Sequence, residues 1–141
     1  MSTSSFQPKT GFHRFQRKCN PGFTPILQAL VRPFIARPSK VGGVADHVHL
    51  LFRLARTISV SDAVKDIKVE SSKWMKTDAG VPVFAWQAGY GAFSIGASQI
   101  DDVMDYIRRQ AEHHAKRSFQ EEFRLLLKRY GVGYDEAYVW D

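Results

Sequence analysis

Two histidines separated by one apolar residue constrain this chain more than any other feature. The run Asp46-His47-Val48-His49-Leu50-Leu51-Phe52 has the composition of a buried strand. Because successive strand side chains point to opposite faces, His47 and His49 are expected side by side, with Val48 turned into a core. Two imidazoles on one rigid strand supply two ligands of a divalent-metal site, although such a pair is by itself more often structural or solvent-facing.

A tyrosine and a glutamine further along the chain complete a candidate catalytic set. Tyr106 and Gln110 are four residues apart in a segment with helical periodicity, so they share one face of the helix. That face borders the apolar stripe, which anchors the helix and leaves the tyrosine hydroxyl accessible. A hydroxyl nucleophile and an amide ligand beside a histidine pair are suited to attack on a phosphodiester. Taken alone, Tyr106 is better explained as a packing or surface residue, and Gln110 alone carries almost no information.

The charge of the chain is unevenly distributed. The net charge is +6, and no acidic residue precedes Asp46, whereas seven lysines and arginines do. Such a basic segment favours a polyanionic partner, above all nucleic acid. A solvated arm without a partner is the alternative on charge alone.

Length and composition predict one domain in the cytoplasm. The 141 residues are enough for a single core, and the single cysteine, Cys19, excludes an internal disulfide. No apolar run approaches the roughly 20 residues that a membrane span needs, and no signal-peptide pattern is seen. We therefore expect no membrane association.

The periodicity of apolar residues predicts an alternation of helices and strands. Three helix starts carry a serine three residues before an acidic residue, at Ser59, Ser98 and Ser118, as a capping box requires. Residues 1–21 are rich in Ser, Gln and Lys and are expected to be mobile. Helices are predicted at 23–35, 60–76, 99–116 and 119–130, and strands at 38–44, 45–54, 84–87 and 90–95.

Two motifs resemble those of a known family. His47-Val48-His49 resembles the His-hydrophobe-His motif of HUH endonucleases, and Tyr106-Ile107-Arg108-Arg109-Gln110 resembles the Tyr-x-x-x-Gln motif of single-tyrosine insertion-sequence transposases. This group includes relatives associated with repetitive extragenic palindromes. The likeness covers about residues 41–141, and further similar segments lie at 42–51, 71–74, 86–94, 112–114 and 118–122.

The resemblance implies a fold and a reaction. The fold would be α+β, a ferredoxin-like or RRM-like antiparallel sheet backed by helices, in a homodimer. The activity would be cleavage and rejoining of single-stranded DNA with hairpin ends. Tyr106 would form a 5′-phosphotyrosine intermediate, and His47, His49 and Gln110 would hold a divalent metal, Mg²⁺ or Mn²⁺.

The N-terminus departs from the family pattern. Members usually open with a hydrophobic strand, and residues 1–19 do not have that composition, so the first strand is expected to be missing or altered. We therefore divide the chain into an atypical basic arm, residues 1–22, and a transposase domain, residues 23–141. If the altered N-terminus abolishes catalysis, the protein would act only as a single-stranded DNA-binding module.

Several residues are candidates for contacts with DNA. Basic side chains set the affinity for phosphates, and aromatic rings stack on unpaired bases, although packing in the sheet is the alternative for the aromatic residues. A Zn²⁺ site of His47, His49 and either His113 or His114 is a further alternative. The DNA-contact candidates are Lys73, Trp86, Arg109, His113 and Arg117.

Overall fold

The structure is a computed structural model that describes residues 2–6, 8–10, 23–32, 40–43, 47–110, 118–137 and 139. A 3₁₀ turn, Ala97–Gln99, leads into the third helix. Among the described residues, no helix combines the length and the apolar character needed to cross a bilayer. The strands and helices are β1 (Ser2–Phe6), β2 (Pro8–Thr10), α1 (Phe23–Val31), β3 (Lys40–Gly43), β4 (Val48–Phe52), α2 (Val60–Thr77), β5 (Ala85–Trp86), β6 (Gly91–Ser94), α3 (Ile100–Arg108) and α4 (Phe119–Arg129).

Within the described residues, the main sheet has four antiparallel strands in the order β3-β4-β1-β6. Leaving aside the short β2–β5 ribbon, the chain order is β-α-β-β-α-β, which is the ferredoxin-like arrangement. Further helices, α3 and α4, follow β6. The predicted α+β fold with an antiparallel sheet is therefore confirmed.

The first strand is present and altered in composition. β1 has the sequence Ser-Thr-Ser-Ser-Phe and lies between β4 and β6, where Ser5 pairs with both His49 and Gly91. Residues 2–6 and 8–10 are thus strands where composition predicted a mobile arm. Pairing with strands on both sides satisfies the backbone of β1, which local composition does not reveal. The division of the chain at residue 22 stays a prediction.

Both faces of β4 are covered, because all five of its residues are buried. Val48, Leu50 and Phe52 join a core with residues of α1 and α2. Leu51 points the other way and packs against Val103 and Ile107 of the tyrosine-bearing helix. The two-residue period therefore turns Val48 into the core as predicted and leaves the opposite face of β4 for the histidines.

Two of the three predicted helix caps are confirmed. The hydroxyl oxygens of Ser59 and Ser118 accept hydrogen bonds from the backbone N–H groups of Asp62 and Glu121, at 3.1 and 3.3 Å. The third prediction is wrong, because Ser98 lies inside the 3₁₀ turn that precedes α3. There the side-chain oxygen of Gln99 accepts from the backbone N–H of Gly96 at 2.9 Å.

The tyrosine helix is shorter than predicted within the described residues. α3 ends at Arg108, and Arg109 is its C-cap. The predicted continuation to Lys116 falls on residues 111–117, which lie outside the described part of the chain.

Candidate active site

The histidine pair lies on the face of β4 that α3 and α4 cover. The side chains of His47 and His49 are 0% and 2% exposed, and their ring centroids are 4.9 Å apart in an edge-to-face arrangement. Phe119 of α4 packs on His47 with 4.9 Å between ring centroids. The predicted side-by-side placement of the imidazoles is therefore observed, in a site shielded from solvent.

Glu122 is the residue that joins the two histidines, and the sequence analysis did not assign it a role. Its Oε2 lies 3.1 Å from Nε2 of His47, and its Oε1 lies 3.4 Å from Nε2 of His49. The potential ligand atoms of these three buried residues all lie within 4.8 Å of one another. Two imidazoles and one carboxylate thus converge on one point.

Tyr106 reaches the same carboxylate from α3. Its hydroxyl donates a hydrogen bond to Oε1 of Glu122, and its ring centroid lies 5.8 Å from that of His49. The side chain is half-buried at the edge of the apolar cluster formed with Ile107. The predicted border position therefore holds, and the phenol oxygen lies beside the histidine pair of its own chain.

Gln110 contacts the same ring nitrogen of His47 that Glu122 contacts. Its Nε2 lies 2.6 Å from Nε2 of His47, and the residue is 2% exposed. Its Oε1 is buried and has no hydrogen-bond partner among the described residues. The four-residue spacing from Tyr106 thus delivers both side chains to one site, as predicted.

Two close approaches hold the helices of the site against the sheet. A Cβ at Gly42 would lie 2.7 Å from the carbonyl oxygen of Ile107, so only glycine allows α3 to rest on β3. A Cβ at Gly91 would lie 2.8 Å from Cζ of Phe123, which follows Glu122 on α4. The absence of a side chain at these two glycines therefore sets how closely both helices, with their functional groups, approach the sheet.

The carboxyl group of Glu122 is held in its ionised form. Burial alone would raise its pKa, but the contacts from His47, His49 and Tyr106 together outweigh burial and hold the pKa well below its usual range. A buried negative charge therefore stands beside two imidazole nitrogens and a phenol.

A divalent cation fits this group of side chains. Oε2 of Glu122 and Oε1 of Gln110 are both buried without a hydrogen-bond partner among the described residues. Both oxygens belong to residues that contact His47, and buried polar atoms in proteins are nearly always satisfied. Mixed imidazole nitrogen and oxygen donors suit Mn²⁺, Mg²⁺ or Zn²⁺ and do not choose among them.

The candidate DNA contacts differ in their surroundings. Lys73 is exposed and pairs with Glu70 at 2.6 Å, and Arg109 is exposed. Trp86 is only 8% exposed, and its indole N–H donates to Ser71 at 2.9 Å. Trp86 packs in the core and also lines the groove described next, so its contact with DNA stays a prediction. His113, His114 and Arg117 lie outside the described residues.

Lys73 lines a shallow groove between α2 and the segment around β5. The groove has a volume of about 460 Å³ and is also lined by Lys68 and Lys76. Nζ of Lys68 donates to the carbonyl oxygens of Gln87, Ala88 and Gly89 at 2.8, 3.2 and 2.8 Å. Lys68 therefore ties one wall of the groove to the other.

The position of Glu122 on its helix is a signal that sequence reasoning could have used. Phe119, Phe123 and Leu127 recur at helical spacing, and Glu122 falls on the same apolar face. Glutamate is almost never fully buried unless it is paired, so a carboxylate on this stripe indicates a buried partner. Which partner it meets depends on tertiary packing.

A ferredoxin-like domain with a buried histidine pair facing a helix-borne tyrosine is the arrangement expected of a single-tyrosine HUH transposase. A family model for IS200-like transposases matches residues 6–110 of the chain. The match covers more than half of the sequence, and the chain belongs to the IS200-like transposase family.

One solved structure shares this fold, and a second is less similar. A REP-associated tyrosine transposase bound to a REP hairpin is similar with a TM-score of 0.57 and 16% identity, over 80% of this chain and 67% of that chain. A Deinococcus radiodurans R1 protein assigned as a transposase has a TM-score of 0.48 and 16% identity, over 77% of this chain and 88% of that one. No match was found among curated proteins.

Proposed function

We propose that this protein is a single-strand DNA transposase that cleaves and rejoins DNA through a covalent link to Tyr106. The observation that supports it most directly is that the Tyr106 hydroxyl and both imidazoles contact one buried carboxylate, Glu122. A nucleophile and a set of metal-ligating groups at one site are what phosphodiester cleavage requires.

Tyr106 would attack the scissile phosphorus through its phenol oxygen. A bond forms between this oxygen and phosphorus while the bond from phosphorus to the 3′ oxygen breaks, which leaves a 5′-phosphotyrosine and a 3′-hydroxyl. The proton lost by the phenol is balanced by the proton that the 3′ oxygen gains. The covalent ester conserves the energy of the broken bond, so a 3′-hydroxyl can attack it and rejoin the strands.

His47, His49 and Gln110 are the proposed metal ligands for this reaction. A bound Mg²⁺ or Mn²⁺ would supply charge neutralisation at the phosphate and fix its orientation. Burial of the imidazoles between β4 and the helices keeps them rigid. Metal analysis of the purified protein separates this proposal from a Zn²⁺ site that includes His113 or His114.

Single-stranded DNA with hairpin ends is the proposed substrate. A structure similar to this chain is that of a tyrosine transposase bound to a REP hairpin. Phosphates would contact basic side chains, with Lys73, Arg109, His113, Arg117 and the basic arm of residues 1–22 as candidates. A homodimer is also proposed from the family, although the cluster described above is assembled within one chain.

The test is to trap the covalent intermediate. Wild-type protein is incubated with hairpin-ended single-stranded DNA and Mn²⁺, and the protein–DNA adduct is resolved on a denaturing gel. We expect an adduct with the wild type and none with Tyr106→Phe. Tyr134→Phe is the matched control, because Tyr134 is 41% exposed and lies away from the cluster, on the groove beside α4.

The outcomes separate the nuclease from a binding module. An adduct that persists in Tyr106→Phe would exclude Tyr106 as the nucleophile. Salt-sensitive binding of single strands with no adduct, whichever divalent metal is supplied, would instead support a catalytically degenerate relative that only binds DNA.

A further inference from the structure

We infer that Glu122 is itself a ligand of the divalent cation and connects that cation to the nucleophile, with Oε2 facing the metal and Oε1 holding the Tyr106 hydroxyl. This inference rests on the proposed function for the presence of a cation, and it changes the proposed ligand set from two imidazoles and an amide to a set that includes a carboxylate.

The contacts of His47 are the first argument. Its Nε2 lies 2.6 Å from Nε2 of Gln110 and 3.1 Å from Oε2 of Glu122. An amide nitrogen only donates and a carboxylate only accepts, while one imidazole nitrogen carries either a proton or a lone pair. With the amide in this orientation, a protonated Nε2 would face the amide donor and an unprotonated Nε2 would face the carboxylate acceptor. One of the two contacts is therefore always unfavourable. A cation between them satisfies the nitrogen and the carboxylate oxygen together.

The second argument comes from the two oxygens beside His47. Oε2 of Glu122 and Oε1 of Gln110 are buried without a hydrogen-bond partner among the described residues. A half-turn of the Gln110 amide exchanges its oxygen and nitrogen, which have nearly the same shape, and brings Oε1 toward His47. One cation would then use both oxygens.

The third argument is that the two oxygens of the Glu122 carboxylate have different contacts. Oε1 of Glu122 already accepts the hydrogen bond from Tyr106, whereas Oε2 does not. Ligation through Oε2 therefore leaves the phenol contact intact. The carboxylate would place the nucleophile next to the cation without the phenol being a ligand.

A carboxylate ligand also predicts when the metal binds. Neutral imidazole and amide donors bring no charge, whereas the carboxylate of Glu122, whose pKa lies well below its usual range, brings one negative charge into a buried site. The attraction between this charge and a divalent cation does not require DNA phosphates. We therefore expect Mn²⁺ to bind to the protein alone, before any substrate.

The experiment measures Mn²⁺ binding without DNA, by titration calorimetry and by the loss of the free Mn²⁺ signal in electron paramagnetic resonance. We expect Glu122→Gln to weaken binding by about tenfold or more, the order found when groups that support a metal site are removed. Glu70→Gln is the control, because Glu70 is an exposed glutamate that pairs only with Lys73 among the contacts described. Thermal unfolding without metal checks that each variant is folded.

A second measurement does not depend on a variant. Crystals of the wild type soaked in Mn²⁺ should show anomalous density bonded to Oε2 of Glu122. Equal Mn²⁺ affinity of the wild type and Glu122→Gln, density on the histidines with Glu122 turned away, or no Mn²⁺ binding at all would each overturn the inference. If the wild type binds Mn²⁺ through Glu122 but forms no DNA adduct, this result would instead count against the proposed function alone.

Discussion

Gly42 and Ile107 are in direct contact where the tyrosine helix crosses the sheet, and a Cβ on Gly42 would lie 2.7 Å from the carbonyl oxygen of Ile107. Gly42 also pairs with His49 across β3 and β4. The same glycine thus touches the strand of the histidines and the helix of Tyr106. A change here should alter the distance between nucleophile and imidazoles.

We predict that Gly42→Ala separates α3 from the sheet. Overpacking of this kind typically destabilises a protein by about 1–3 kcal/mol, and a displaced Tyr106 should reduce adduct formation beyond that effect. Urea unfolding and the adduct assay check both results. Gly133→Ala is the control, because no atom of the described part of the chain lies within 4 Å of a Cβ there. Equal behaviour of the two variants would show that the contact does not position the helix.

Ser118 and Ser98 were both predicted to cap a helix from the sequence, but only Ser118 does so in the structure. Ser118 caps α4, with its hydroxyl oxygen accepting from the backbone N–H of Glu121 at 3.3 Å, whereas Ser98 lies in the 3₁₀ turn and caps no helix. Ser118→Ala should lower the free energy of unfolding by about 1 kcal/mol. Ser98→Ala should change it by less than about 0.5 kcal/mol. Chemical denaturation measures both, and a larger loss for Ser98→Ala would contradict the assignment.

Lys68 should make stability depend on alkaline pH. Burial lowers its pKa from 10.5 to about 8. Between these two pH values the unfolded chain keeps a proton that the folded protein has released, so the stability of the folded state rises with pH. The unfolding free energy of the wild type, minus that of Lys68→Met, should therefore increase from pH 8 to 10.5. Lys65→Met, at an exposed position on the same helix, is the matched control.

Ser71 should be important because it is the buried link between α2 and Trp86. Its hydroxyl accepts from the indole N–H at 2.9 Å and donates to the carbonyl oxygen of Ile67 at 2.6 Å. Ser71→Ala removes the acceptor and should lower stability by about 1–3 kcal/mol. Denaturation followed by tryptophan fluorescence measures the loss. The neighbouring Ser72→Ala should be close to neutral, and a similar loss there would point to a general effect on the helix.

Local periodicity was sufficient for much of the candidate site. The strand period placed His47 and His49 on one face with Val48 on the other, and the helical period brought Tyr106 and Gln110 to the same site. These relations depend on residues close in sequence, where backbone geometry fixes direction.

Contacts between segments that are far apart in the sequence were not predicted. Glu122 meets His47 only because α4 folds back over β4, and its role was missed although its place on an apolar stripe hinted at a buried partner. β1 was missed because its strand character comes from pairing with β4 and β6 rather than from β-branched or aromatic residues. The cap at Ser98 was assigned wrongly because this serine lies in a 3₁₀ turn.

The inner position of β1 has a consequence for how the chain reaches its folded state. Ser5 must find His49 on one side and Gly91 on the other, so the sheet closes only after segments far apart in sequence have met. Until then β4 has an open edge next to the histidines, and such edges favour association between chains. Contacts of this range also slow folding. Recovery of active protein should therefore improve when refolding is done at low protein concentration, because pairing of β4 with β1 of the same chain is then favoured over association with another molecule.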